Sequence, residues 1–462
     1  MKWFKELRKY PSAVAGMVIL ALFVFMSIYA VIAIPYQQAI YLWRGSGPWV
    51  ESPVRAAPLW YDWFVSGRLP RTFIVTLEDE GVTVTEESLG GGMKRLIITL
   101  PFDYDYDGFP NELQLLHSWV FQPGQRPEVS VYWHRPDGET VDLIPASDFL
   151  RRDDFPVYYI SMNKALQANL GEIANPGMRN PYIEPAQALL SKDSTALGRG
   201  EPLEPLHGRY ALEINAVMAE EVELNEVRLR VYGQVHGWAG TDHQRRELYV
   251  PLLWGAPIGL MFGLLAAVGA QLSTFILGGI GTWMGGKVDA VFQKLTELTM
   301  ILPNLAILIM IAHFYEPSIF RVLGIVILLN IFSASYMVYR AIILQVKELP
   351  YIEAAQAYGA GGFRIIFRYI LPRMAPMLLP QFVIIVPSFV FLEASLAVLG
   401  LGDPMLPTWG KVLNDAFVSG ALLTGHYYWV LQPALLLMFI GFGFAMVGYS
   451  LDRVVNPKLR SL

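Results

Sequence analysis

The chain has 462 residues, of which 54% are hydrophobic and 16% charged, with a formal net charge of −5. A soluble protein of this length carries about a quarter charged residues, so the composition argues for a membrane protein. The absence of cysteine excludes disulfides and thiolate-held metals, and no Ser-His-Asp arrangement, helically spaced His pair or basic tract points to hydrolysis, metal chemistry or nucleic-acid binding.

The first apolar run, 12–35, holds no charge. It exceeds the ~20 residues that cross a bilayer and is too long for a signal-peptide core, so it is expected to stay as an anchor. Further apolar runs at 250–284, 296–314, 320–340, 374–400 and 427–450 bring the expected spans to six. The second is longer than a perpendicular crossing needs and should tilt or extend past the membrane. Basic residues near span ends favour the cytoplasmic side. Lys2, Lys5, Arg8 and Lys9 precede the first span, Arg340, Lys347, Arg364, Arg368 and Arg373 flank the connection from the fourth to the fifth, and Arg453, Lys458 and Arg460 follow the sixth. Both termini and the connection containing Glu353 are therefore expected inside, and 36–248 outside.

That outer segment carries 19 of the 35 basic and 30 of the 40 acidic residues, a net of −11, and leaves the remainder at +6. Alternating apolar residues at 72–77, 95–100, 129–133 and 210–216 predict half-buried strands, and 162–174 and 184–192 predict short helices. A β-dominated α+β or sandwich-like domain is expected. Asp103, Asp105 and Asp107 resemble a cation site, although carboxylates at alternate positions are commoner on an exposed strand or turn.

Between the fourth and fifth apolar runs, Glu353, Ala354 and Ala355 open a helix-forming stretch that Gly359 can end in a left-handed turn, and Leu371-Pro372 begins the next apolar helix. An amphipathic connector would account for this much. The pattern also resembles the cytoplasmic coupling loop of permease subunits in binding-protein-dependent ABC importers. Two more stretches are similar to the dipeptide/oligopeptide/nickel class of that family. One is Gly240, Thr241, Asp242 and His243, followed by Arg246 and Glu247, at the start of the second span. The family usually has Gly where Arg245 stands and Asp where Glu247 stands, which puts a tight turn with positive φ at 245 in question. His243 beside Asp242 suggests an ordinary hydrogen-bonding residue rather than a switch. The other stretch runs from Glu393 through Gly400 and Gly402 to Pro404, Pro407, Thr408, Trp409 and Gly410. Glu393 is a carboxylate deep in an apolar run, where it costs at least ~2.5 kcal/mol at a membrane centre unless paired or facing water. It is expected to face the bundle or the pathway, at a gate, in packing of two permease subunits, or as a hydrogen-bonding clasp between helices. Pro376, Pro380 and Pro387 imply kinks in the same span. Asp289, Glu297, Pro303, Asp452, Arg453 and the residues at 456–460 also fall where the family has similar ones. The likeness is good over 240–460, weak over 1–35 and absent from 36–239.

The resemblance implies a polytopic α-helical membrane protein with six transmembrane helices in the type I ABC importer permease fold, with a large β-rich extracytoplasmic domain inserted between helices 1 and 2. The expected organisation is 1–35 as the cytoplasmic N-terminus and first helix, 36–248 as the external domain, and 249–462 as a permease core with the coupling loop at 350–372. It implies a transport subunit, not an enzyme, that imports dipeptides or oligopeptides through the cell membrane. Sugar oligomers or nickel are alternative cargoes, and an ion-coupled secondary transporter with an external sensory domain is a rival from another class. Glu353, Ala354, Ala355, Gly359, Leu371 and Pro372 would meet the ATPase. The implied partners are a second homologous permease chain, two ATP-binding subunits and an extracytoplasmic substrate-binding protein in a lipid bilayer. ATP and Mg²⁺ would sit on those partners, with no cofactor or metal in this chain. Gly281, Gly286 and Lys287 fit the first seven positions of a P-loop, but Val288 replaces the hydroxyl residue that would hold Mg²⁺, and the Gly-Gly pair reads better as the turn between spans two and three.

Overall fold

From its N-terminus the chain forms α1 (Pro11–Ala33) and α2 (Tyr36–Arg44), then β1 (Phe73–Thr76), β2 (Thr83–Gly90), β3 (Met93–Tyr104), β4 (Glu112–Val120), β5 (Glu128–His134), β6 (Thr140–Ile144) and β7 (Val157–Tyr159). Two short helices, α3 (Lys164–Ala174) and α4 (Pro185–Leu190), precede β8 (Gly208–Ala219) and β9 (Glu223–Tyr232). Helices alone follow: α5 (Tyr249–Met284), α6 (Gly286–Ile301), α7 (Asn304–Phe314), α8 (Ile319–Asn330), α9 (Ala334–Lys347), α10 (Pro350–Ala357), α11 (Gly362–Ile365), α12 (Leu371–Val398), α13 (Trp409–Val418) and α14 (Tyr427–Val455). This computed structural model describes residues 6–455 apart from 46, 123–124, 145–156, 175–182, 200 and 316–317. Lys2, Lys5 and the family-like residues at 456–460 lie outside the described residues.

The chain divides into two compact units, Gly45–Glu247 and the pair Met1–Arg44 with Leu248–Leu462. The strand-rich unit thus starts at 45 rather than 36. Helix α2 belongs with the other helices, because Ala39 and Trp43 are buried and the Tyr36 ring lies 5.8 Å from that of Trp254 in α5.

Within Gly45–Glu247 the strands form two antiparallel sheets, ordered β1-β9-β4-β7 and β2-β3-β8-β5-β6. Alternation decides which side chains turn inward. Ile98, Leu100 and Phe102 of β3 and Leu212, Ile214 and Ala216 of β8 meet Leu113, Leu115, Leu229 and Val231 of the other sheet in one core, the layering of a sandwich. Strand β2 is exposed along its whole length, which is why it carries no hydrophobic period. The acidic stretch at 103–107 is turned to local bonding: Tyr104 Oη donates to the Gly108 carbonyl at 2.6 Å, and Asp107 accepts from the Arg68 N–H at 2.7 Å. Among the described residues, no three or more His, Asp or Glu side chains converge to hold a metal.

In the helical unit, Pro11–Ala33, Tyr249–Met284, Leu378–Val398 and Tyr427–Val454 are each long and apolar enough to cross a membrane. The runs expected as single spans at 296–314 and 320–340 are instead bent pairs. Helices α6 and α7 meet at 80° and α8 and α9 at 46°, so the count reaches six if each pair is one span. At the first break, Pro303 has no N–H to continue the ladder and biases Leu302 to extended backbone, φ −67° and ψ 134°. At the second, Ser333 is extended at φ −85° and ψ 174°. Helix α5 ends at Gly285 and Gly286, both at positive φ, which is the turn the Gly-Gly pair suggested. Close helix contact rests on glycine, as is common among membrane helices: a Cβ on Gly16 of α1 would come within 2.8 Å of the Gly443 carbonyl of α14, and one on Gly263 of α5 within 3.1 Å of the Val386 carbonyl of α12.

Candidate functional site

Three of the stretches singled out in the sequence acquire definite geometry. The first is the step between α9 and α12. Pro350 occupies the first turn of α10, where its missing N–H costs nothing. The helix ends in a paired C-cap: the Gly359 N–H donates to the Gln356 carbonyl at 2.8 Å and the Ala360 N–H to the Ala355 carbonyl at 3.0 Å. Gly359 sits at φ +79° in open space, so the glycine is there for its backbone angle rather than for room. On the inner side, Ile352 and Ile365 join Phe275 of α5, Tyr339, Ile343 and Val346 of α9, and Ile366, Ile370 and Leu371 in a buried cluster. On the outer side Glu353, Ala354, Arg364 and Arg368 are exposed, with Tyr358 at 92% and Phe363 at 67% exposure. A firm apolar seat thus holds up a face that is mixed in charge and rich in exposed rings.

Leu371-Pro372 does not begin a separate helix. The helical run starts at Gly362, widens into one π turn over Ile366–Ile370, where the Leu371 N–H reaches back to the Ile366 carbonyl, and continues as α12. A widened turn suits this position, since proline removes the bond from residue 372 and its ring crowds the carbonyl four residues earlier. Loop and span are therefore one rod from 362 to 398. Its start presses on the end of α5: a Cβ on Gly362 would lie 2.7 Å from Trp283 Nε1, and Lys347 donates to the Trp283 carbonyl at 3.4 Å with its ammonium 5.2 Å from the indole.

At the other end of α12, Gly400 at φ +81° closes the helix with the same paired cap, Leu401 N–H to Leu396 at 2.9 Å and Gly400 N–H to Ala397 at 2.9 Å. Trp409, 2% exposed, is locked inside the chain. Its Nε1 donates to the Leu252 carbonyl at 2.9 Å and its ring stands edge-on to Phe23 of α1 at 5.9 Å. Gly410 and Gly402 allow close approach to α12, since a Cβ on either would come within 2.7 Å of the Ala397 Cβ. Trp409 and Gly410 thus pack against helices of this same chain. Glu393 is buried beside the hydroxyl of Thr408, which in turn caps α13 by accepting the Lys411 N–H at 3.2 Å. It lines a void of about 10 Å³ with Phe262, Gly402 and Asp403. Glu393 thus stands beside the residue that caps α13.

The third stretch lies in the strand-rich unit. Gly240 is at φ +79°. The Thr241 hydroxyl donates to the Pro53 carbonyl at 2.7 Å and accepts the Ala56 N–H at 2.9 Å. Asp242, fully buried, accepts the Gln244 and Arg246 N–H groups at 2.8 and 2.9 Å and Arg246 Nε at 2.6 Å. The tight turn questioned at Arg245 does form, at φ +67°. An arginine tolerates that angle because its guanidinium is held three ways, by an ion pair with buried Glu112, by the Ser52 carbonyl at 2.8 Å and over the Tyr232 ring at 4.4 Å. His243 takes part in no grouping of metal-binding type among the described residues.

The sequence reading underused one pair. Asp289 of α6 takes Arg340 of α9 in a fork, with Nε to Oδ1 at 2.8 Å and Nη2 to Oδ2 at 2.6 Å, and accepts Gln293 at 2.9 Å as well. The signal was present: an acid and a base each within a largely apolar region must be paired to be tolerated.

Residues 255–461 match the family described as binding-protein-dependent transport system inner membrane component. The chain is 29% identical over 224 residues to the dipeptide transport system permease protein of Bacillus subtilis, covering 48% of this chain and 69% of that protein. It is 30% identical over 224 residues to the oligopeptide transport system permease protein of the same organism, covering 48% and 72%. It is also 30% identical over 227 residues to the dipeptide transport system permease protein of Alkalihalophilus pseudofirmus, covering 48% and 73%.

Proposed function

Because this chain belongs to the family of binding-protein-dependent transport system inner membrane components, we propose that it is the permease subunit of a peptide-importing ABC transporter, with dipeptides and oligopeptides as its substrate class. A second permease chain would complete the pathway, two ATP-binding subunits with ATP and Mg²⁺ would lie on the cytoplasmic side, and a substrate-binding protein would deliver peptide to the opposite side. Both termini are cytoplasmic and the strand-rich unit extracytoplasmic in this reading, following the placement of basic residues beside the spans. The chain itself hydrolyses nothing.

The observation that carries the mechanism is the two-sided step at 350–370, exposed outward and continuous with α12. Closure of the ATPases on ATP would move α10 and α11. The buried seat of Ile352, Ile365 and Ile366 passes that movement to α5 and α9, and the run 362–398 passes it along α12 to Glu393, which is how a displacement on one side becomes a reorientation of the pathway. Gly359→Pro tests it, because proline holds φ near −65° where the chain needs +79° and removes the N–H given to Gln356. Uptake of labelled peptide into proteoliposomes holding the whole transporter should fall sharply while ATP hydrolysis persists. Wild-type uptake would refute the coupling role. As the chain has no cysteine, Ala354→Cys supplies a single thiol whose crosslinking to an ATPase subunit reads the contact directly.

A further inference from the structure

We propose that the connection between α13 and α14 is a membrane-surface anchor, whose apolar tip sits in the lipid headgroup layer and holds the ends of α12 and α14 that lie furthest from the step at 350–370. The patch is Phe417 and Val418 at the end of α13, Leu422 and Leu423 in the turn, and Tyr427 at the start of α14, all exposed. Leu423 is 94% exposed, and Phe417 and Val418 are each 75% exposed. No Asp, Glu, Lys or Arg occurs from Ala416 to Leu451. A contiguous apolar surface without charge is costly in water and marks a face that meets something apolar.

The tip is fixed rather than loose. Gly420, at φ +66°, closes α13: its N–H donates to the Phe417 carbonyl at 3.1 Å and the Ala421 N–H to the Ala416 carbonyl at 2.9 Å. The Leu423 N–H then donates to Gly420 at 3.0 Å and the His426 N–H to Ala421 at 2.8 Å, while the Thr424 hydroxyl donates to the Gly420 carbonyl at 3.1 Å. A turn that pairs these backbone groups internally leaves bulk water at less cost than one with bare N–H groups.

Two features point to lipid, and both lie within the helical unit. The first is level. Asn414 Nδ2 of α13 donates to the Val398 carbonyl of α12 at 2.8 Å, and a Cβ on Gly410 would lie 2.7 Å from the Ala394 Cα, so α13 runs beside the last turns of α12 in the same direction. The apolar stretch of α12 ends at Val398 after 21 residues, about 31 Å at 1.5 Å each, which fills the ~30 Å hydrocarbon layer. Phe417 and Val418 stand three and four residues past Asn414, hence about 5–6 Å beyond that end, the depth of the headgroup region. The second is continuity. Exposed Tyr427, Leu431, Leu435, Met438 and Phe442 recur at helical spacing along α14 and form one apolar stripe, and the patch is the end of that stripe. Tyrosine is enriched at the bilayer–water boundary, and Thr424 and His426, bonded to each other at 2.7 Å, supply polar groups beside it.

The proposal rests on reading α12 and α14 as membrane spans, and the test separates the two. In the otherwise cysteine-free full chain, Phe417→Cys and Leu423→Cys are labelled with an environment-sensitive nitrobenzoxadiazole probe, and Leu435→Cys, exposed within α14, serves as reference. All three side chains are largely outside the packed interior, so the folded chain survives their loss. The probes are read in vesicles of phosphatidylethanolamine and phosphatidylglycerol, first in the chain alone and then in the whole transporter with its partner chains freed of cysteine. In both, the probes at 417 and 423 should be quenched most by lipids carrying a nitroxide on the headgroup, less by lipids carrying it deep in the acyl chain, and little by aqueous iodide. In the chain alone, the probe at 435 should be quenched most by the deep nitroxide. If 417 and 423 are quenched by iodide alone while 435 responds to lipid, the anchor is refuted and the spans stand. If 417 and 423 respond to lipid in the chain alone but are shielded from lipid and iodide alike in the whole transporter, the occupant is a partner protein and the proposal fails. If 435 escapes lipid quenching in the chain alone, the spans and the anchor fall together.

Discussion

Gly255→Ala is a one-carbon change whose cost can be worked out from the packing of Trp409. A Cβ at 255 would lie 2.6 Å from the indole Cγ and closer still to Cδ1 and Nε1. The ring cannot swing away freely, since it is 2% exposed, stands against Phe23 and donates to the Leu252 carbonyl. Overpacking of this kind costs about 1–3 kcal/mol. If the indole moves off its carbonyl, the lost bond adds only about 0.6 kcal/mol, the average for interhelical bonds in membrane proteins, so the steric part dominates and the total is roughly 2–4 kcal/mol. The assay is thermal unfolding of the purified chain in detergent, with the Gly255→Ala, Trp409→Ala and double variants measured together. Trp409→Ala is destabilising by about 3–5 kcal/mol through its cavity, but in its background Gly255→Ala should cost close to nothing, because the atoms it strikes are gone. Additive losses would refute the packing account. So would a Gly255→Ala chain of unchanged stability that fails only in transport, which would make Trp409 part of a gate.

Three further outcomes follow from the same structure. Arg245→Ala should destabilise the strand-rich unit by about 3–5 kcal/mol, since it leaves Glu112 charged and buried; Arg245→Gly should recover about 1 kcal/mol of that, because glycine takes φ +67° without strain, and equal melting points would contradict the strain. His117 is pushed by burial from 6.5 down to about 4. The unfolded chain therefore binds the extra proton between those values, and stability should be flat above pH 6.5, fall as pH drops towards 4 by up to roughly 3 kcal/mol, and lose that slope in His117→Gln; urea titrations across the range read it. Arg340→Met, which strands Asp289, should cost about 3–5 kcal/mol in the helical unit, and adding Asp289→Asn should restore much of it, as the double variant leaves no unpaired charge; a double variant as unstable as the single one would show the pair is not the cause.

What could be seen in the sequence divides along physical lines. Long apolar runs gave α1, α5, α12 and α14 directly, because a helix is the structure that satisfies its backbone within a single segment across a bilayer. Gly359 was legible as a helix end, since glycine adopts the left-handed angle without strain, whereas Gly400 stood out only as part of a family-like stretch. The bends at 302–303 and 331–333 were less so: Pro303 signalled a break, but no local rule turns a break into an angle of 80°, which depends on what the two halves pack against. Strand β2 has no apolar period because it buries nothing. Arg245 misled in an instructive way, for the left-handed angle there is tolerated through contacts to Glu112 and Tyr232, residues 133 and 13 positions away, and no window of sequence contains both.

Gly359, which closes α10 just before the run 362–398, and Gly400, which closes that run, stand in different surroundings, and the difference bears on how a transporter of this family would move. At Gly410 the backbone is pressed against α12, with Trp409 packed against α1 and α5 and Glu393 beside Thr408. Such an end has one arrangement, since interiors packed at this closeness do not deform continuously. Around Gly359 the cap stands in open space and only the inner side of α10 is seated. Between these ends lie the π turn and Pro376, Pro380 and Pro387, each of which removes a ladder bond and leaves the helix softer than its flanks. In the proposed mechanism, a rod seated on α5 and α9 at its start, packed tightly beyond its far end and softer between them would take up a push by bending in its middle, so that Pro376, Pro380 and Pro387 rather than the exposed loop residues would set the stroke.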